Sequence, residues 1–223
     1  MTETLTGQHV LVIGGARFLG AAIAERARAE GATVTIASHT PSDAPDRVHI
    51  DFLDERTIAA AAQRIGAVDH VVSLASLPHD VPIGLIERDS VVAALEAKVI
   101  GPLLVAKHFE IRRSLLLFSG VVGWRPGPAS TIKGIANGAV SFAATHLAAE
   151  LAPVRVNAIS PGIIDSGAWD AKGDAKSGFL AGAAGRTRVG RTGTLEDITD
   201  AAMWLLTAGY VTGETIHIEG GRA

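Results

Sequence analysis

Short apolar runs alternate with longer segments in which apolar residues recur at helical spacing. The runs predict seven strands, at Val10–Ile13, Thr33–Ala37, His49–Phe52, His70–Leu74, Leu115–Ser119, Val154–Ile159 and Thr215–Glu219. Helical patterns lie between them, at Leu19–Ala29, Thr57–Ile65, Ser90–Phe109 and Lys133–Leu151. Strands that alternate with helices of this length are typical of βαβ units. The pattern therefore predicts an α/β fold, a doubly wound (Rossmann) parallel sheet of seven strands with helices on both faces, in a single domain, residues 1–223.

The segment 165–191 departs from this alternation because it is rich in Gly, Ala, Lys and Ser. A long segment without a clear period inside a compact domain is usually a lid or a binding loop. We therefore expect a long loop here, and we expect it to decide which substrate is accepted.

Composition narrows the classes of function. The net charge of −3 comes without a basic run, which argues against nucleic acid or an anionic membrane as a partner. No apolar run is long enough to span a bilayer, so no membrane partner is expected. The chain has no cysteine and no signal pattern at its start, which favours a cytoplasmic location. The eight histidines are scattered without ligand spacing, so no metal site is expected.

The first strand runs into a glycine-rich turn. Gly14 and Gly15 end the strand, and Gly20 opens the following helix. This arrangement directs backbone N–H groups at a phosphate. Phe18 stands where a further glycine is expected. Its side chain must turn away, or it narrows the phosphate-binding turn; the alternative is a turn that no longer binds a nucleotide.

The second half of the chain carries four further motifs in a fixed order. They are Arg155–Gly162 with its Pro-Gly turn, Glu196–Ile198, Tyr210–Gly213 and Ile218–Gly221. Together with the first turn, they resemble the short-chain dehydrogenase/reductase family over nearly the whole chain. The resemblance implies the strand order 3-2-1-4-5-6-7 and an oxidoreductase that acts on a small-molecule substrate with a nicotinamide cofactor.

The resemblance also implies a cofactor site. Its residues are Gly14, Arg17, Phe18, Leu19, Gly20, Ser38, His39, Asp51, Phe52, Ala75, Ser76, Pro161, Gly162, Ile164 and Ser166. NADP(H) is favoured over NAD(H), because Ser38 and His39 follow the second strand where NAD-preferring relatives carry an acidic residue. The Arg17 guanidinium suits a 2′-phosphate. The alternative is that Arg17 is an ordinary solvated charge on the surface. Asp51 falls where relatives contact adenine; the alternative is that it caps the next helix, and the two roles are compatible.

The family's catalytic tetrad is Asn-Ser-Tyr-Lys, and every one of its positions is changed here. Thirteen residues separate Gly120, at the serine position, from Lys133, at the tyrosine position. Asn137 takes the lysine position and Lys98 the asparagine position. Ser119 is next to the serine position, but strand alternation is expected to point it to the other face.

Three hypotheses follow for the site. In the first, the protein is a reductase of carbonyls, imines or activated alkenes, and Lys133 and Lys98 depress each other's pKa so that one supplies the proton. In the second, it binds NADP(H) without turnover, as a sensor or partner subunit. In the third, the pocket does other chemistry, with a substrate lining of Trp124, Arg125, Asp165 and Trp169, unless these are ordinary loop residues. The only tyrosine, Tyr210, belongs to the C-terminal motif and cannot take the place of the missing tetrad tyrosine.

The resemblance finally implies a homodimer or homotetramer. Relatives pair the helices at 90–109 and 134–151 across subunits. Small residues on the second helix permit close packing: Gly134, Gly138, Ala139 and Ala143.

Overall fold

The computed structural model describes residues 5–74 and 76–221. They form one seven-stranded sheet in the order β3-β2-β1-β4-β5-β6-β7, and every pairing is parallel. The strands are β1 (His9–Ile13), β2 (Thr33–Ser38), β3 (Arg47–His49), β4 (Val68–Ser73), β5 (Ile111–Phe118), β6 (Arg155–Pro161) and β7 (Thr215–Ile218). The predicted doubly wound fold is confirmed.

Helices cover both faces of this sheet. They are α1 (Phe18–Ala29), α2 (Glu55–Ile65), α3 (Arg88–Leu95), α4 (Gly101–His108), α5 (Thr131–Glu150), α6 (Ala175–Ala184) and α7 (Leu195–Thr207). One core packs the sheet against α2, α4 and α5, and a second packs the other face against α1 and α7. Both faces of the strands are therefore buried, which explains their nearly continuous apolar sequences.

The third strand was predicted two residues too late. It spans Arg47–His49, and Arg47 pairs with Ile36 of β2. Ile50 and Phe52 are buried apolar residues beyond the end of the strand. Phe52 packs under Gly101 at the start of α4, where a Cβ would lie 2.4 Å from its ring. The alternation of apolar residues at 49–52 thus indicates that Ile50 and Phe52 are buried, and not that they pair in a strand.

Two helical segments also differ from the prediction. The segment predicted as a loop at 165–191 contains α6, whose Phe179 ring packs 4.7 Å from the ring of Trp169. The helix predicted over 90–109 is interrupted by a π-helical turn, Glu96–Ile100, between α3 and α4. Turns of this type are rare and occur frequently at functional sites.

No helix in the described ranges is long and apolar enough to cross a membrane. Within the same residues, no three His, Cys, Asp or Glu side chains are grouped closely enough to hold a metal ion.

His70 is buried in β4 between two polar partners. Its Nδ1 lies 2.7 Å from Ser114 Oγ, and its Nε2 lies 2.6 Å from Gln8 Oε1. Burial lowers the pKa of His70 to about 4. The folded protein therefore keeps this imidazole neutral at pH values where the unfolded chain protonates it.

The free energy of unfolding should consequently fall as the pH drops from 6.5 towards 4. An ordinary pKa of 6.5 in the unfolded chain and about 4 in the folded one correspond to a loss of about 2 kcal/mol between pH 7 and pH 5. Urea denaturation at both pH values measures it. His70→Gln should flatten this dependence, whereas His146→Gln, at an exposed position of α5, should leave it unchanged. An equal pH-dependent loss in His70→Gln would contradict the assignment.

Candidate cofactor cleft and active-site pocket

Two cavities open at the edge of the sheet where the strands end, and both are lined by Ser76 and Leu77. The long cleft, about 960 Å³, runs from the turn after β1 to the ends of β2 and β3. The small pocket, about 220 Å³, lies between the ends of β5 and β6 and the start of α5. Ligands of doubly wound sheets bind at this edge.

The turn between β1 and α1 forms one end of the long cleft. Gly14 has a φ of +83°, and a Cβ on Gly20 would lie 2.2 Å from the carbonyl oxygen of Gly14. The N-cap residue Arg17 makes no side-chain capping hydrogen bond, and the first turn of α1 carries no acidic residue. The first N–H groups of α1 are therefore available to an anion.

Phe18 adopts the backbone conformation of the glycine that it replaces. Its φ is +52°, in the left-handed region. The ring reaches across to the segment after β6, because a Cβ on Gly167 would lie 3.3 Å from the Phe18 Cδ1. The Arg17 guanidinium lies 5.3 Å from the ring centre. The side chain thus turns away from the turn, but it narrows the long cleft.

The far end of the long cleft is basic. Ser38, His39 and Arg47 line it. In the described ranges, neither Arg17 nor Arg47 has a carboxylate within ion-pair distance. Arg47 was missed because the strand that carries it was placed two residues too late. The sequence predicts Ser38 and His39 as hydrogen-bond donors to a 2′-phosphate, but the Ser38 hydroxyl donates to the Thr40 carbonyl at 2.8 Å.

Asp51 and Phe52 line the same cleft on the side of α2. The Asp51 carboxylate accepts a hydrogen bond from the Leu53 N–H at 3.0 Å. Helix α2 is capped instead by Asp54, which accepts from the Arg56 N–H at 3.0 Å. The alternative role of Asp51 as a helix cap is therefore wrong, and its carboxylate stabilises the preceding turn.

The small pocket contains all four positions of the changed tetrad: Lys98, Gly120, Lys133 and Asn137. Lys98 projects from the π-helical turn, and Lys133 and Asn137 from the first turns of α5. A Cβ on Gly120 would lie 2.8 Å from Asn137 Nδ2. The Asn137 amide thus occupies the space that a side chain at position 120 would need.

The two lysines of the pocket differ in their partners. Lys133 Nζ lies 2.7 Å and 2.9 Å from the two carboxylate oxygens of Asp80. Lys98 Nζ lies 3.5 Å from the Ser119 carbonyl oxygen, and no carboxylate of the described residues forms an ion pair with it. Burial, reinforced by the charge of Lys133, lowers the pKa of Lys98 to about 8.

Ser119 does not point away from the pocket, so that prediction was wrong. Its hydroxyl donates to the Asn137 carbonyl at 2.8 Å and accepts from the Ser141 hydroxyl at 3.2 Å. Strand β5 ends at Phe118, so both Ser119 and position 120 face α5. The hydroxyl lies beneath the site and fixes α5 to the end of β5.

His79 lines the small pocket. The sequence places the pair His79–Asp80 near the rim of the expected pocket, where such a pair is more often structural. His79 Nε2 lies 3.1 Å from Ser90 Oγ, which donates its own proton to the Glu87 carbonyl at 2.8 Å. Nε2 must therefore carry the ring proton. Nδ1 is then an acceptor, buried and without a hydrogen-bond partner among the described residues.

Only Trp169 of the predicted substrate lining reaches the small pocket. Its Nε1 donates to the Ile164 carbonyl at 2.9 Å. Trp124 lies edge-on to His217 at 4.9 Å, and Arg125 lies 3.4 Å from Glu219, so their loop packs over β7. Asp165 lines neither of the two cavities and forms an exposed ion pair with Lys176 at 3.0 Å.

The remaining predicted cofactor residues are divided among several places. Pro161 and Gly162 line the small pocket, and Ile164 lines a separate cavity of about 270 Å³ beside β7. The Leu19 side chain is partly buried and packs against the core. Ser166 is half-buried in the segment after β6. Ala75 lies outside the described residues.

The fold and these cavities define a doubly wound protein with a dinucleotide-type turn. Residues 14–223 match the family model described as "Enoyl-(Acyl carrier protein) reductase". The chain is 31% identical to "Short-chain reductase protein NovJ" of Streptomyces niveus (99% of this chain, 97% of that protein). It is 26% identical to "Short-chain dehydrogenase/reductase ATR9" of Stachybotrys chlorohalonatus, over 98% of each chain.

A solved small-chain dehydrogenase in complex with NADPH superposes with a TM-score of 0.86. It is 29% identical, and the match covers 96% of this chain and 97% of that chain. This chain belongs to the short-chain dehydrogenase/reductase family, a family of oxidoreductases.

Proposed function

We propose that the protein is an NADP(H)-dependent oxidoreductase that reduces a small carbonyl, imine or activated alkene, with a lysine as its proton source. The observation that carries this proposal is the small pocket, where Lys98 and Lys133 occupy positions of the changed tetrad. The pocket shares a wall, Ser76–Leu77, with the long cleft. A substrate there would adjoin a cofactor in the cleft.

The residues of the long cleft fit NADP(H). Its volume of about 960 Å³ suits a dinucleotide, and the uncapped start of α1 offers N–H groups to a diphosphate. Arg17 and Arg47 can hold a 2′-phosphate, and no acidic residue follows β2 directly. The similar dehydrogenase in complex with NADPH supports the same preference. When bound, NADPH supplies the hydride.

The side chains of the pocket supply the proton. A protonated Lys98 can donate to the substrate atom that gains negative charge, and its lowered pKa makes it a better acid than an ordinary lysine. The pair of Lys133 and Asp80 keeps a further positive charge at the rim. The apolar walls and Trp169 lower the polarity around Lys98, which strengthens these electrostatic effects.

Two measurements test the proposal. Titration with NADPH and NADH should give tighter binding of NADPH, and no binding at millimolar concentration would overturn the cofactor assignment. NADPH oxidation should then be measured with panels of ketones, imines and enones. Binding without turnover of any compound in the panels would favour the alternative, an inactive NADP(H)-binding sensor or partner subunit. The loss of the tetrad tyrosine also favours this alternative.

Removing the Phe18 ring should tighten NADPH binding several-fold, because the ring narrows the long cleft. Phe18→Gly and Phe18→Ala both remove the ring, but only glycine relieves the φ of +52°. The glycine variant should therefore be more stable than the alanine variant by about 1 kcal/mol. Calorimetric titration and urea denaturation measure the two effects. Weaker NADPH binding in both variants would mean that the ring contacts the cofactor.

We also propose that the protein forms a homodimer or homotetramer through α5. Ile135 and Phe142 on this helix are 58% and 69% exposed. A Cβ on Gly138, between them, would meet no atom within 4 Å, so the surface is open to close approach.

Phe142→Asp should dissociate this assembly, because the interface would have to bury an unpaired carboxylate. Light scattering after size exclusion measures the mass. Gln63→Asp, on the exposed side of α2, adds the same single negative charge and should leave the mass unchanged. An unchanged mass in Phe142→Asp would place the interface elsewhere or leave a monomer.

A further inference from the structure

The environment of Lys98 differs from that of the other four lysines. Lys107, Lys133 and Lys176 each form an ion pair with a carboxylate at 3.0 Å or less. Lys172 lies over the rings of Trp169 and Phe179. Lys98 has no carboxylate partner among the described residues, and its ammonium group lies against the small pocket.

The pocket around this amine is small and largely apolar. Its volume is about 220 Å³, and its apolar wall is formed by Leu77, Pro78, Ala94, Val121, Ile132 and Ile163. The second cation, Lys133, lies in the same pocket. Desolvation and a neighbouring cation both favour the neutral form of an amine, and the neutral form is the nucleophile.

We propose that Lys98 forms an imine with a small aldehyde or ketone bound in the small pocket. The cavity admits a carbonyl compound of a few carbon atoms, and the apolar wall suits an alkyl substituent. This activity goes beyond the proposed function, because imine formation needs no nicotinamide cofactor and no hydride.

The step requires only proton carriers, which the pocket and the solvent at its mouth supply. The lone pair of Lys98 Nζ attacks the carbonyl carbon, a C–N bond forms, and the π electrons move to oxygen, which takes a proton. Nitrogen then loses a proton, the C–O bond breaks, and water leaves as the C=N bond forms. Lys133, held by Asp80, can donate the further proton with which the hydroxyl leaves as water, and solvent at the mouth of the pocket takes the proton from nitrogen, so the product is the protonated imine.

Reductive trapping tests this proposal on the full chain without cofactor. The protein is incubated at pH 7 with substoichiometric butanal and cyanoborohydride, and peptide mass mapping follows the alkylation of each lysine. Lys98 should be alkylated at least about tenfold faster than the other four lysines, because a larger fraction of it is neutral. Equal rates at all five lysines would overturn the proposal.

Variants refine the test. Lys98→Met and Lys98→Arg should both lose the fast alkylation, the second because it keeps the charge without a nucleophilic amine. Lys133→Met should slow the alkylation of Lys98 at pH 7, because it removes the neighbouring charge and the acid. Fast alkylation that persists in Lys98→Met would assign the reaction to another group. If that variant does not fold, the comparison among the five lysines of the unaltered chain still decides. NADPH oxidation plays no part in this readout, so the two proposals fail separately.

Discussion

Gly20→Ala should weaken NADPH binding by about 100-fold and lower the free energy of unfolding by about 3 kcal/mol. A Cβ at this position would lie 2.2 Å from the Gly14 carbonyl oxygen and 2.9 Å from the Gly15 Cα. These are backbone atoms of the turn, so no side-chain rotation relieves the overlap. Helix α1 must move away from β1, and its first N–H groups then leave the long cleft.

Gly178→Ala is the matched control for this substitution. Gly178 is exposed in α6, and a Cβ there would meet no atom within 4 Å. Alanine should therefore be neutral or stabilise the helix by up to about 1 kcal/mol. Calorimetric titration with NADPH and urea denaturation give both quantities for each variant. Unaltered NADPH binding in Gly20→Ala would show that the diphosphate does not lie at the start of α1.

Lys98→Met should lower the kcat of NADPH oxidation by about 100- to 10,000-fold, the usual range for the loss of a positioned general acid. Methionine fills the apolar pocket, so the fold should be kept. Lys107→Met is the control, because Lys107 is exposed on α4 and pairs with Glu55. A kcat within a few-fold of the unaltered enzyme would remove Lys98 from the proton transfer.

The pH dependence gives a second test of the same role. A general acid works in its protonated form, so the rate should be highest below pH 8. It should fall about tenfold for each further unit above the Lys98 pKa of about 8. Lys98→Met should lose this descent along with most of the rate. A rate that rises through pH 8 would instead indicate a base.

The fold could be predicted because parallel strands are buried on both faces and therefore give continuous apolar runs. The same reasoning failed at Ile50 and Phe52, where burial and strand pairing separate. It also failed for α6, which contains Gly178 and is packed through Phe179 on Trp169. Local sequence carries no record of such contacts.

Some residues of the site could also be placed from the sequence, and others could not. Lys98, Gly120, Lys133 and Asn137 could be placed because the chain resembles the family's motifs, and the structure brings the four positions into one pocket. Arg47 comes from a segment without a regular period, and only the folded chain brings it to the long cleft. The sequence places His79 and Asp80 near the rim of the pocket, but their contacts with Ser90 and Lys133 appear only in the folded chain. Trp124 and Arg125 were predicted in the pocket because their loop follows Gly120 in the sequence. In the folded chain this loop packs over β7 instead.

The close fit between Gly120 and Asn137 makes the two positions epistatic. A Cβ at 120 would lie 2.8 Å from Asn137 Nδ2, so a serine cannot be restored there while this amide keeps its rotamer. The effects of substitutions at positions 120 and 137 should therefore not be additive. A double-mutant cycle of the two positions would measure their coupling energy. A mutational route that restores a serine at 120 must therefore also move or replace the Asn137 amide.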